Sequence, residues 1–232
     1  MFEICELRKS VSESDRKRAK TTTEKLFHAH RCILQHYSPE LSALCATSDD
    51  GMTPIIITDV KAEVFRLLLY YVYGGEISSE EFVDHEKDFI NAADKYGVTN
   101  LKLEAEARYV NNTEITIDNV IDNLLYADAM NCALLKESVM DFIVENKGPV
   151  IQRVSFHDVP GDVCKDLLVA VSRHYEKDSS DDGDDNESDV EKTYKYSKMR
   201  IRDLREKLHA KGLDVDGSRE ALIAILMEHS GS

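Results

Sequence analysis

Residues 176–191 read EKDSSDDGDDNESDVE, and this stretch decides what the rest of the chain can fold into. Nine acidic residues stand there against Lys177 alone, and apolar side chains all but vanish. Such a segment cannot bury enough surface to offset its ordering entropy, so residues 176–192 are expected to be a disordered acidic linker. The main core must therefore come from residues before it. Residues 193–232 are left as a small unit with a core of their own.

The chain has 232 residues, 42% of them hydrophobic, which suffices for one medium domain and one small one. A charged fraction of 31%, no Trp and only four Pro suit a soluble, helix-rich protein. No apolar run is long enough to span a bilayer, so no membrane partner is expected. The opening MFEICELRKSVSESDRKRAK has no apolar signal core, and a cytosolic or nuclear address follows as the expectation. The five cysteines are widely spaced and odd in number, which speaks against a disulfide framework.

The formal net charge of −15 is unevenly placed. Beyond the linker, Lys195, Lys198, Arg200, Arg202, Arg205, Lys207, Lys211 and Arg219 outnumber the acidic residues. A second basic cluster, Arg16, Lys17, Arg18 and Lys20, reads as a nuclear import signal. The overall charge excludes a nonspecific nucleic-acid coat, yet it leaves the tail able to touch phosphate.

Residues 1–25 are polar and without sustained periodicity, and are expected to be disordered. Alternation through Leu26–His30 then predicts a short strand, followed by a helix that breaks before Pro39. Ser38 is placed to cap the next helix, and PIIIT (54–58) reads as a buried strand. Asp59 is placed to cap a helix carrying Val64, Phe65, Leu68, Tyr71 and Val72 on one face. Amphipathic helices follow as far as DVCKDLLVAVSRHY (162–175). The expected fold class is α+β, with short strands packed against helices early and helices thereafter.

These residues carry a likeness. FHAHRCILQHYSPELSAL resembles the F-x-A-H-x-x-x-L-x-x-x-S stretch of BTB/POZ domains, and IIITDVKAEVFRLLLYYVYGGEI and FINAADKYGVTNLKLEAEA resemble its later motifs. The speckle-type POZ proteins are the nearest pattern. TIDNVIDNLLYADAMNCALLKESVMDFIVEN is similar to the start of a BACK helical extension. The resemblance implies a BTB/POZ domain over 26–112 and a BACK-like extension over 113–175. It also implies homodimerisation, here through Ile33, Leu34, Leu41 and Leu44, and in many relatives a cullin scaffold as partner. Two departures stand out. SDRKRAKTTTEK occupies the place of the family's first strand, often exchanged between subunits, and shows no apolar alternation. CATSDDGMT lacks the hydrophobic-x-Glu element of cullin-binding relatives.

The tail has its own pattern. Ile201, Leu204 and Leu208 share one helical face, Gly212 suits a helix end, and Ser218 can cap a second helix bearing Leu222, Ile225 and Leu226. Together, YSKMRIRDLREKLHAKGLDVDGSREALIAIL resembles a SAP domain, a two-helix hairpin placed at 193–232. The resemblance implies binding to duplex DNA, with AT-rich sequence favoured, through Arg200, Arg202, Arg205, Lys211, Ser218 and Arg219. The acidic linker is expected to isolate this unit and to compete with phosphate for its cations.

No catalytic constellation or phosphate loop is recognisable, so neither enzyme activity nor a cofactor is expected. His28, His30 and Cys32 alternate with the spacing of metal ligands on one side of a strand, but the resemblance makes His30 structural and Cys32 the start of a helix. The functional expectation is a nuclear adaptor that dimerises through its BTB/POZ domain and tethers partners to DNA. A ubiquitin-ligase role, a scaffold without ubiquitin chemistry, and a cytosolic adaptor whose tail binds protein are its variants.

Overall fold

The middle strand of the sheet comes from a segment whose own pattern does not announce it. In the computed structural model, which describes residues 4–9, 25–46, 55–83, 85–157, 159–175 and 189–229, strand β1 (Ile4–Lys9) pairs antiparallel with β2 (Lys25–His30) and parallel with β3 (Ile55–Ile57). The order is β2-β1-β3, and Leu7 lies opposite both Phe27 and Ile55. The disorder expected for residues 1–25 is thus corrected at Ile4–Lys9 and at Lys25. Two ladders from distant segments hold β1, and strand propensity follows such neighbours more than intrinsic preference. The basic cluster Arg16, Lys17, Arg18 and Lys20 lies outside the described residues.

The chain divides into two compact units, Met1–Arg108 and Tyr109–Ser232. In the first, β2 runs directly into α1 (Arg31–Tyr37), and α2 (Pro39–Ala46) follows after a break at Ser38. Ser38 stands at the N-cap position of α2, where its carbonyl accepts the Ser42 N–H at 3.0 Å, and its fully buried hydroxyl donates to the Tyr96 carbonyl at 2.5 Å. Helix α3 (Ala62–Val72) supplies the centre of the core. Phe65, with no exposed surface, meets Phe27 edge-on at 5.4 Å and Tyr96 at 5.8 Å. Leu34, Leu41 and Leu68 are likewise fully buried.

Asp59 does not cap α3, whose N-cap is Lys61. The Asp59 carboxylate instead accepts from Lys95 at 2.5 Å and from the Tyr96 hydroxyl at 3.3 Å. Partial burial pushes its pKa up, but these donors outweigh that and hold it below the ordinary carboxylate value. The same neighbourhood pushes the Tyr96 phenol upward, chiefly through burial and then through the Asp59 charge. Helix α4 (Ser79–Phe82) opens with a complete capping box between Ser78 and Glu81. Helices α5 (Glu86–Lys95) and α6 (Thr99–Asn112) complete the unit. Phe89 of α5 packs on Phe82 at 4.7 Å. Lys102 of α6, nearly fully buried, is neutralised by Asp94 at 2.8 Å.

The second unit contains α7 (Val120–Ala129), α8 (Ala133–Glu145), α9 (Lys147–Arg153) and α10 (Gly161–Tyr175). This is the helical run that the resemblance implied for 113–175. Helix α8 touches α7, α9 and α10, which explains why Leu135, Val139 and Met140 along it are buried. Lys136 ties the bundle together, reaching Asp128 at 2.8 Å and Asp166 at 2.5 Å. Burial works against its charge, yet the two carboxylates raise its pKa above the ordinary lysine value.

Helix α11 (Asp189–Lys198) begins inside the stretch expected to be linker, so helix replaces disorder over 189–192. Residues 176–188, with most of the acidic charge, lie outside the described residues. Helices α12 (Ile201–Ala210) and α13 (Arg219–Glu228) form the expected hairpin, and α11 packs on α13. Ile201, Leu204, Leu208, Leu222 and Leu226 are all buried between the helices, as their spacing predicts. Gly212 takes φ +68 just past the end of α12, a left-handed conformation that a Cβ would strain. Leu213 then donates its N–H to the Leu208 carbonyl at 3.0 Å and closes the turn. Among the described residues, no helix is long and apolar enough to cross a membrane.

Candidate nucleic-acid interface

The six residues implied for DNA contact fall into three groups. Arg202 and Lys211 are exposed, as is Lys207 on the same helix. The Lys211 ammonium donates to the His229 carbonyl at 2.8 Å, which pins the end of α13 beside the end of α12. These are the cations a phosphate can reach directly. A neighbouring pair adds to them: the Lys198 ammonium sits 4.0 Å from the centre of the Tyr194 ring, and that ring is itself half exposed.

Arg205 and Ser218 serve the hairpin itself. The Arg205 guanidinium donates to the Val215 carbonyl at 3.1 Å, fastening α12 to the turn. Ser218 is the N-cap of α13, as its position before the helix predicts, and its hydroxyl accepts from the Ala221 N–H at 3.3 Å.

Arg200 and Arg219 do something that sequence spacing could not indicate. Arg219 sits at the start of α13 with only 15% of its side chain exposed, and it forms an ion pair with Glu137 of α8. It also donates to the carbonyls of Met199 at 2.6 Å and Ser197 at 3.3 Å. Arg200, the N-cap residue of α12, forms an ion pair with Asp141, one turn along α8 from Glu137. Arg173 of α10 completes the cluster, donating to Glu137 at 3.1 Å and approaching Asp141 at 3.5 Å. The Ile201 N–H points at both Glu137 carboxylate oxygens, at 3.3 and 3.4 Å. A narrow cleft lined by Lys136, Glu137, Asp166, Arg173 and Arg219 marks the seam.

The electrostatics differ between the two arginines. For Arg200, burial lowers the pKa but the Asp141 and Glu137 charges raise it further, so the net shift is upward. For Arg219, burial and the adjacent Arg173 charge outweigh the pull of Glu137, and its pKa falls below the ordinary arginine value. Three guanidiniums, those of Arg219, Arg173 and Arg200, thus crowd the Glu137 carboxylate. The expectation of a hairpin isolated by its linker is corrected: it packs on α8, held by Glu137 and Asp141, neither of which the sequence reading had singled out. The only signal for them in sequence is alternation of acidic and apolar positions along α8, which any solvated helix face also shows.

The implied dimer residues of the first unit also divide. Leu34 and Leu41 have no exposed surface and belong to the protomer's own core, so they are corrected as interface residues. Helix α1 packs on α2, α3 and β2, and apolarity alone does not tell an inward face from an outward one. Ile33 is half-buried and Leu44 is 38% exposed. Tyr37, one turn beyond Ile33 on α1, is 54% exposed. A groove of about 530 Å³ beside it is lined by His36, Tyr71, Gly75, Val98 and Asn100.

His30 is structural here: its N–H donates to the Tyr73 hydroxyl at 2.7 Å, and its ring Nδ1 lies 2.9 Å from the same oxygen. His28 and Cys32 are exposed. Among the described residues, no group of His, Cys, Asp and Glu is placed to hold a metal ion.

Comparison with known proteins bears on both units. Over 119 residues the chain is 30% identical to the "TD and POZ domain-containing protein 1-like" of Mus musculus. The match covers 50% of this chain and 32% of that protein, so the chain spans about a third of the relative's length. The family model for the BTB/POZ domain matches residues 20–113, and that for the SAP domain matches residues 195–229. Residues 20–113 are therefore a BTB/POZ domain and residues 195–229 a SAP domain, carried on one chain.

Proposed function

We propose that this protein is a non-enzymatic adaptor that gathers protein partners through its BTB/POZ domain and holds them at duplex DNA through its SAP domain. The observation that carries this reading is the pairing of the two domains in one chain, with Arg202, Lys207 and Lys211 exposed on the hairpin. Exposed lysines and arginines on a hairpin make phosphate contacts that position a protein on DNA without reading much sequence. Individually weak contacts of this kind gain from dimerisation, which places two hairpins on one duplex. Nuclear localisation and a preference for AT-rich DNA belong to the same proposal. Ubiquitin transfer through a cullin does not, because the connection before β3 carries no hydrophobic-x-Glu element.

The dimer is assigned to the face of α1 and α2 that carries Ile33, Tyr37 and Leu44. Analytical ultracentrifugation of the full chain tests it. The parent should sediment as a dimer at micromolar concentration, and Ile33→Asp combined with Leu44→Asp should sediment as a monomer that keeps the parent's helical circular dichroism. A monomeric parent would remove the dimer from the proposal. Affinity capture of the full chain, scored for nuclease-sensitive chromatin proteins and for cullin, tests the adaptor reading. Capture of cullin with no nuclease-sensitive partners would replace it with the ligase variant.

A further inference from the structure

The Glu137 carboxylate occupies a place that a phosphate would take. It is an anion at the first turn of α12, accepting from the Ile201 N–H, which is one of the N–H groups a helix start leaves without an intrahelical partner. Around it stand the Arg219 and Arg173 guanidiniums, with the Arg200 guanidinium 3.8 Å away. Its charge sign, its acceptor geometry and its arginine neighbours are those of a bound phosphate oxygen. Glu137 belongs to α8, however, and with 7% of its surface exposed it shuts the site from solvent.

From this geometry we infer that the SAP hairpin is held in a closed state by its own chain, with Glu137 and Asp141 competing against DNA phosphate for Arg200, Arg219 and the α12 N-terminus. The inference rests on the DNA-binding reading above and specifies how that binding is regulated. In the closed state only the outer cations, Arg202, Lys207 and Lys211, meet DNA. In the open state the hairpin swings off α8, and Arg200, Arg219 and the Ile201 N–H are added to the contact. The apparent affinity is then the open-state affinity reduced by the fraction of molecules that are open.

The balance is set by one carboxylate. Arg173 and Arg219 repel each other across the seam, and Glu137 pairs with both while also accepting from the α12 backbone. Removing one member of a buried charge cluster leaves the others uncompensated. Here the hairpin can answer by undocking, which gives the freed arginines water or phosphate. Asp141 contributes less, because its side chain is 27% exposed and its bond is to the half-exposed Arg200. An acidic partner that binds α8 in place of the hairpin, or any modification that neutralises Glu137, would act in the same direction.

The test is fluorescence anisotropy of a short labelled AT-rich duplex titrated with full-length chains at low salt. Glu137→Gln keeps the side-chain shape and removes the charge, and it should bind at least roughly fivefold more tightly than the parent. Asp141→Asn should show a smaller gain in the same sense. Glu145→Gln changes the net charge equally at an exposed position on the same helix and should leave affinity near the parent's. Circular dichroism checks folding, and if Glu137→Gln is unfolded then Asp141→Asn decides the matter. Equal affinities for the parent and both seam variants would overturn closure by α8 while leaving DNA binding intact. A gain from Glu145→Gln matching that of Glu137→Gln would also overturn it, by showing a general charge effect. Absence of duplex binding in every chain would sink both the closure and the DNA-binding reading.

Discussion

Full-length protein carrying Arg202→Glu and Lys211→Glu is expected to lose duplex binding by at least about tenfold at low salt, with its thermal unfolding unchanged. Both side chains are exposed, and the backbone partner that Lys211 gives up, the His229 carbonyl near the end of α13, belongs to an exposed residue that water can reach. Each phosphate contact made by a cation contributes both affinity and a step in the dependence on salt. Reversing two charges removes two contacts and adds repulsion at the same spots. The variant should therefore show a shallower dependence of binding on salt as well as a weaker midpoint. The outcome that contradicts this is a variant with parental affinity, which would mean that DNA, if bound, meets another face. Arg205 is a poor choice for the same experiment because its bond to the Val215 carbonyl holds the turn. A charge reversal there would confound binding with folding.

The second large effect concerns stability. Phe65→Ala should destabilise the first unit by about 3–5 kcal/mol, a loss comparable with the whole stability of many small domains. Phe65 has no exposed surface and lies between Phe27 of β2 and Tyr96, which follows α5, so its removal opens a cavity where strand and helices meet. The neighbours cannot close around it easily. Tyr96 is tethered through its hydroxyl to Asp59 and through its carbonyl to Ser38. Chemical denaturation of the variant against the parent measures the loss. A change under about 1 kcal/mol would show that the aromatic cluster repacks freely.

Local regularities were legible before any coordinates. The Ile201, Leu204 and Leu208 stripe, the glycine at 212 and the capping serine at 218 are each fixed by a few neighbouring residues, and the hairpin follows from them. The Phe65 face of α3 was readable for the same reason. What escaped depends on partners far away along the chain. β1 is a strand because residues 25–30 and 55–57 flank it, and nothing within Ile4–Lys9 required that. Asp59 was placed at a helix start, where a carboxylate commonly caps. Lys95, a stronger donor brought in by the fold, took it instead. Leu34 and Leu41 matched an apolar interface in composition, but only packing assigns them to the interior. The candidate DNA site was half readable: the cations are where the hairpin pattern puts them. Their acidic partner stands 82 positions from Arg219, and no local signal marks it.

The placement of β1 at the middle of the sheet also has a kinetic consequence. Its neighbours come from segments separated from it by an intervening connection and two helices, so sheet closure must offset the entropy of two loops before any strand pairing is complete. In the second unit the helices pair first with neighbours close in sequence, α7 with α8 and α12 with α13, while docking of the hairpin on α8 joins distant positions. Contact order therefore ranks the two units: refolding should proceed in two phases, with the helical unit first and the sheet-containing unit slower. Stopped-flow refolding of the full chain would show the slow phase in the fluorescence of its tyrosines, since Tyr96 reaches its buried site only when the sheet and α3 have met. A single phase with helix and Tyr96 signals coincident would show that β1 is already paired in the rate-limiting step of the whole molecule.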